Sequence, residues 1–140
     1  MSAFLDASAI VAILSQEPDG DALLDRIESA GEPLYFCEVG VFEATFGLVR
    51  KKASAGRRAD AVTIAEARSI VRDFLDRIGA EEVPIDGAAA IEAAARFGKV
   101  VGHPAQLNMG DCFAYACARA KGAPLLYKGE DFARTDVISA

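Results

Sequence analysis

Apolar residues recur along this chain in two rhythms: short unbroken runs, and longer stretches that return every three or four positions. The two rhythms alternate. Ala3-Phe4-Leu5, closed by Asp6, predicts a first strand, and Ser8–Ser15 then takes helical spacing with Ser8 placed at its cap. Glu17-Pro18-Asp19-Gly20 breaks the chain, and Asp21–Ala30 predicts a second helix with Leu23, Leu24 and Ile27 on one side. After the turn at Gly31-Glu32-Pro33 comes a strand over Leu34–Cys37. Glu38–Ala53 is helical, apolar at Val39, Phe42, Phe46 and Val49, and Gly56 marks its end. Ala59–Ile78 predicts another helix, buried through Val62, Ala65, Ile70, Phe74 and Ile78. Val83-Pro84-Ile85 predicts a third strand, and Asp86 caps an alanine-rich helix over Ala88–Phe97. An irregular stretch, 98–110, leads to a helix from Asp111 to Lys121. A fourth strand over Ala123–Tyr127 follows, with a short last one at Val137-Ile138.

Parallel neighbours need crossover connections, so strands alternating with amphipathic helices predict a parallel sheet covered on both faces. The expectation is a single three-layer α/β/α domain, 1–140, around a short, mostly parallel sheet.

Composition narrows the picture. Alanine supplies 28 of the 140 residues, so the 52% apolar content describes one core of modest side chains and closely packed helices. The net charge of −6 speaks against tight non-specific DNA binding, which needs a basic footprint. No apolar run reaches the roughly 18–20 residues that span a bilayer. The acidic Met1–Asp6 start lacks the basic opening of a secretory signal. Cys37, Cys112 and Cys117 are odd in number and lack zinc spacing, and they read as small buried hydrophobes in a reducing cytoplasm.

In an open α/β sheet, ligands bind beyond the carboxyl ends of the strands. The polar residues expected there are Asp6 and Ser8 after the first strand, Glu43 in the helix after the second, Asp111 opening the helix before the fourth, and Asp131 after it. Taken singly, Asp111 reads equally as a helix cap and Asp131 as a turn acid. Glu43, flanked by Phe42 and Phe46, is harder to explain as an idle surface charge. Two carboxylates about 4 Å apart repel by on the order of 4 kcal/mol at an effective dielectric of 20, so a cluster of four needs protons or cations. Oxygen-only sites of this kind suit Mg²⁺ or Mn²⁺, ions that neutralise charge developing on a phosphodiester.

The segments FLDASAIVAIL at the start, Glu43, HPAQLNMGDCFAYACARAKG over 103–122 and PLLYKGEDFARTDV over 124–137 resemble PIN-domain ribonucleases, and among them the toxin half of VapBC-type toxin–antitoxin pairs. The resemblance covers essentially the whole chain. It implies that Asp6, Glu43, Asp111 and Asp131 form an acidic pocket for Mg²⁺, with Mn²⁺ able to substitute, and that Ser8 supports it. It implies a cytoplasmic endoribonuclease that inhibits growth when free of a small DNA-binding antitoxin, with transfer RNA the expected substrate. Dimerisation and a higher toxin–antitoxin assembly follow from the same resemblance. One position departs from it: Gly129 stands where many relatives carry an acid, so Asp131 must supply the fourth carboxylate.

Arg50, Lys51, Lys52, Arg57 and Arg58 gather five bases into nine positions, which is either a solvated helix end or a local footprint for RNA phosphates. His103, the only histidine, leaves little for His-based catalysis and is expected to pack its loop. Tyr115, one turn beyond Asp111, lines the pocket or packs the core. Phe42, Phe46 and Phe74 are expected in the core. A receiver-like phosphoacceptor module is the main competing class, but it wants paired acids near the first strand, where only Asp6 stands. A PIN fold kept only for binding is the other alternative, and intact Asp6, Glu43 and Asp111 argue against it.

Overall fold

The computed structural model describes residues 2–31, 33–53 and 58–140. Gly56, expected to end the third helix, and Arg57 of the basic run lie outside them. The described elements are β1 (Ala3–Leu5), α1 (Ala7–Leu14), α2 (Gly20–Ala30), β2 (Leu34–Phe36), α3 (Glu38–Lys52), α4 (Ala61–Arg77), β3 (Glu81–Glu82), α5 (Gly87–Phe97), α6 (Met109–Lys121) and β4 (Leu125–Leu126), with single 3₁₀ turns at Lys99–Val101 and Phe132–Arg134.

The four strands pair in parallel in the order β3-β2-β1-β4. Alternation along β1 separates two cores: Ala3 and Leu5 face α1–α4, while Phe4 faces α5 and α6. This is the expected three-layer α/β/α domain. The chain walks from β1 to β2 to β3 and then returns to place β4 on the other side of β1. The strand order therefore switches between β1 and β4, where such sheets open a crevice at their carboxyl ends.

Local chemistry sets the element ends, and it differs from the sequence pattern in four places. Asp6 caps α1, accepting from the Ser8 amide at 3.0 Å, so Ser8 sits inside the first turn and is not its cap. The third strand is Glu81–Glu82, not 83–85: the Val83 amide still reaches the Phe36 carbonyl at 2.8 Å, but β2 itself ends at Phe36, where Cys37 opens α3, so no partner strand lies beyond it. In α4 the buried stripe is Ala67, Val71 and Leu75, while Val62, Ala65 and Ile70 face outward and Phe74 and Ile78 are half-buried. The helix is rotated to bring its smaller stripe into contact with the core. The last strand reduces to a single parallel bridge, with the Leu125 amide donating to Ile138 at 2.7 Å and the Ala140 amide donating to Leu125 at 3.0 Å.

The expected N-caps Asp86 and, for α6, the Asn108–Asp111 neighbourhood are in place. Asp86 accepts from the Ala89 amide at 3.1 Å. Asn108 caps α6, and Asp111 closes a capping box with it. All three cysteines are buried and unpaired by disulfides. Among the described residues, no helix is long and apolar enough to cross a membrane.

Candidate active site

A cavity of about 620 Å³ opens at the switch point between β1 and β4. Asp6, Glu43 and Asp111 line it, one carboxylate each from the end of β1, the middle of α3 and the first turn of α6. Asp6 is only 5% exposed, and its Oδ2 accepts from both the Ser8 amide and the Ser8 hydroxyl, the latter at 2.6 Å. Asp111 is held by the capping box: its Oδ2 accepts from the Asn108 amide at 3.1 Å, and its own amide donates to Asn108 Oδ1 at 2.9 Å. Asp111 thus closes the helix end while also lining the cavity. Glu43 reaches across to the first turn of α6. A Cβ built on Gly110 would overlap the Glu43 carboxylate, so only glycine lets α3 and α6 bring their acids together.

Electrostatics follow from this packing. Burial raises the Asp6 carboxyl above its ordinary range, opposed by the Ser8 hydrogen bonds and reinforced by Asp131. Burial, then the charges of Asp6 and Asp111, push Glu43 up to about 7, with Arg50 opposing. Burial likewise pushes Asp111 up to about 6 against the Asn108 hydrogen bond, and Asp6 and Asp131 add to the rise. Three acids that resist ionising together are a site with a deficit of positive charge. The donor set is oxygen only and suits a hard divalent cation.

The fourth predicted acid stands apart. Asp131 is exposed, begins the 3₁₀ turn after β4 and does not line the cavity, although its charge reaches Asp6 and Asp111. The basic run also divides. Arg50 and Lys51 line the cavity, whereas Lys52 and Arg58 share a separate hollow with Asp60 and Glu66. Two cavity residues escape the sequence pattern, Glu17 and Lys128. Glu17 reads only as part of a chain break. Lys128 was legible as the first residue after the fourth strand, three positions ahead of the acid expected there.

Other expectations resolve away from the cavity. His103 packs its loop, with Nδ1 accepting from the Ala105 amide at 3.0 Å and the ring edge-on to Phe97. Tyr115 is buried on the far side of α6, where its hydroxyl donates to Asp136. Phe42 is not core: it is 64% exposed and leans on half-buried Phe46, ring centres 4.8 Å apart.

Comparison with known proteins bears on the family and the fold. The family described as the PIN domain matches residues 3–138. A VapC ribonuclease of Rhizobium meliloti is 45% identical over 139 residues, covering 96% of this chain and 98% of its own. Ribonuclease VapC30 of Mycobacterium tuberculosis is 36% identical over 142 residues, covering 96% and 95%. Among solved structures, VapBC2 from Rickettsia felis, bound to a DNA fragment from its promoter, superposes with a TM-score of 0.66 at 16% identity, covering 100% of this chain and 98% of its own. Mycobacterium tuberculosis VapC20, a sarcin-ricin loop cleaving toxin, does so at 0.64 and 16%, covering 99% and 98%. At those identities the two structures speak for the fold.

Proposed function

The chain belongs to the PIN-domain family, among its VapC ribonucleases, and from that premise we propose that it hydrolyses RNA internally, with Mg²⁺ or Mn²⁺, as the toxin of a toxin–antitoxin pair. The observation that carries the chemistry is the convergence of three separately positioned carboxylates, each raised above its ordinary range, on one cavity at the switch point.

Asp6 and Asp111 would hold the cation, with Glu43 at its margin and Asp131 contributing from the rim by its charge. The ion supplies charge neutralisation at the phosphodiester. Ser8 fixes the rotamer of Asp6 by donating to Oδ2. The capping box fixes Asp111. Glu43, facing the same cavity, would orient the attacking water and take its proton. Hydrolysis proceeds by direct attack of water, with no nucleophilic side chain and no covalent enzyme intermediate.

The relatives support a VapB-type antitoxin, a small DNA-binding protein, as the partner. We further assign transfer RNA as substrate, a dimeric toxin within the complex, and a cytoplasmic site of action. The test is incubation of purified protein with total RNA in Mg²⁺ or Mn²⁺, beside the same reaction in chelator, with the new ends sequenced. Asp6→Asn and Asp111→Asn should abolish cleavage while circular dichroism shows an unchanged fold. Undiminished cleavage by either variant overturns the assignment. Ends mapping to ribosomal RNA alone would replace the substrate and leave the chemistry standing. Binding of RNA without any cutting would favour a fold kept for binding.

A further inference from the structure

Above its carboxylate floor the cavity carries a second chemistry. Glu17 stands at the rim with an ammonium group on each oxygen: Lys128 Nζ donates to Oε1, and Lys51 Nζ lies 3.5 Å from Oε2. These residues come from the chain just after α1, the end of α3 and the loop after β4, yet all three line the cavity that holds Asp6, Glu43 and Asp111.

The arrangement is built from the backbone up. Gln16, with φ 53°, takes the left-handed conformation that non-glycine residues avoid, and so turns the chain that delivers Glu17 to the rim. The Glu17 amide then closes on the Ala12 carbonyl at 2.9 Å. Lys128 is anchored from below. Its amide donates to Ser8 Oγ at 2.9 Å, and Ser8 Oγ donates to Asp6 Oδ2, so two hydrogen bonds connect its backbone to the acid floor. Its ammonium also lies 3.3 Å from Asp19 Oδ1. Two ammonium groups this near one another repel unless an anion separates them. Glu17, with only 15% of its side chain exposed, is that anion, and Lys128 holds its carboxyl below the ordinary range so that it stays charged.

A strand of RNA approaching this chain meets a net charge of −6 and, at the site, three acids. Attraction has to come from cations beside the floor. An ammonium carries three donors, so Lys51, with one on Glu17, and Lys128, shared between Glu17 and Asp19, each keep donors free for a phosphate oxygen. We propose that Lys51 and Lys128, spaced by Glu17, form a phosphate clamp that grips the RNA backbone beside the carboxylate cluster. The clamp rests on the ribonuclease reading above and deepens it, since it names where the strand is held.

The test measures binding apart from cutting. An Asp6→Asn parent in Mg²⁺ keeps a fluorescein-labelled single-stranded RNA intact, and its anisotropy is titrated across a series of salt concentrations. Lys128→Gln and Lys51→Gln, each added to the parent, should weaken binding several-fold and lower the slope of log affinity against log salt by about 0.7 for each phosphate no longer neutralised. Lys121→Gln, at the opposite end of α6, controls for net charge and should leave affinity and slope near the parent's. Parallel salt plots for the cavity lysines, an equal loss with Lys121→Gln, or a parent that does not bind the strand each overturn the clamp. The two proposals fail separately: RNA cut by the native protein but held without these lysines removes the clamp alone, and RNA held by them but never cut removes the nuclease assignment alone.

Discussion

Gly110 shows how one residue can matter for the group it leaves out. Its missing Cβ is the space occupied by the Glu43 carboxylate, and that carboxylate is the far end of a flexible side chain. Gly110→Ala should therefore cost little stability, because Glu43 swings away, but much activity, because the acid leaves the cluster. A displacement of about 1 Å at a reacting group can cost on the order of 100-fold in rate. The expected result is a strongly reduced kcat at a nearly unchanged Tm, and an alanine variant with native turnover would show that Glu43 acts from elsewhere. In the sequence, Asp6, Glu43 and Asp111 were legible as an acid at a strand end, an acid inside an apolar stretch and an acid opening a helix. Gly110 was not, since nothing along the chain reveals that α3 passes over the start of α6. Asp131 stood in the right segment, but the 3₁₀ turn leaves it outside the cavity.

At the scale of elements, helical spacing marks an apolar stripe without saying which of two stripes faces inward. α3 buries Val41, Ala44, Leu48 and Val49 with Gly40, Thr45 and Gly47, and turns Phe42 outward. The large aromatics suggested the opposite rotation. Small residues won because α3 packs closely on α1: a Cβ on Gly47 would press to 2.7 Å from a Val11 methyl. Two substitutions separate the rotations. Leu48→Ala should cost about 2–5 kcal/mol as a buried truncation, whereas Phe42→Ala should stay within about 0.5 kcal/mol. Chemical denaturation of both variants measures the difference, and a Phe42→Ala loss as large as that of Leu48→Ala would contradict the observed face. Helix identities and the strands over Ala3–Leu5, Leu34–Phe36 and Leu125–Leu126 were legible as apolar runs and amphipathic stretches, whereas the third strand falls on Glu81–Glu82, which no apolar run marks, and the last is a single bridge. The element ends were not legible, because they rest on single contacts such as the Ser8 amide donating to Asp6, which starts α1 one residue before Ser8.

For the molecule as a whole, the acid cluster couples stability to pH. Folded Glu43 and Asp111 hold their protons up to about 7 and about 6, against ordinary values of 4.5 and 3.8. Between roughly pH 4 and 7 the native state therefore binds more protons than the unfolded chain, and stability falls as pH rises through that window. In chelator, the protein should melt several degrees lower at pH 7.5 than at pH 5, and saturating Mg²⁺ should remove most of that difference. A cation-free melting temperature that rises over this range would contradict the clustering of these acids in a partly desolvated cavity. A second whole-molecule tie lies at the far side of the domain. Asp136 accepts from Tyr115, from Arg96 at 3.1 Å and from Arg119 at 3.0 Å, pinning the C-terminal segment to α5 and α6. Asp136→Ala leaves the Tyr115 hydroxyl without its acceptor, at about 1–3 kcal/mol. Hydrogen exchange should quicken at the Leu125 and Ala140 amides, and unchanged exchange there would mean that the bridge to Leu125 holds on its own.

That bridge has a consequence for how copies of this chain meet. A parallel sheet of four strands exposes two raw edges, each a template for a neighbouring chain. On one side the tail, through Leu125, Ile138 and Ala140, occupies the hydrogen-bonding positions that an intruding strand would use. On the other, the outermost strand is only two residues long and both are exposed glutamates, so an identical edge would meet like charge. Joining of identical sheets is disfavoured on both sides. Copies of this chain are thereby turned toward helix and loop contacts with one another, while the acidic edge at Glu81–Glu82 favours a basic strand over a second copy.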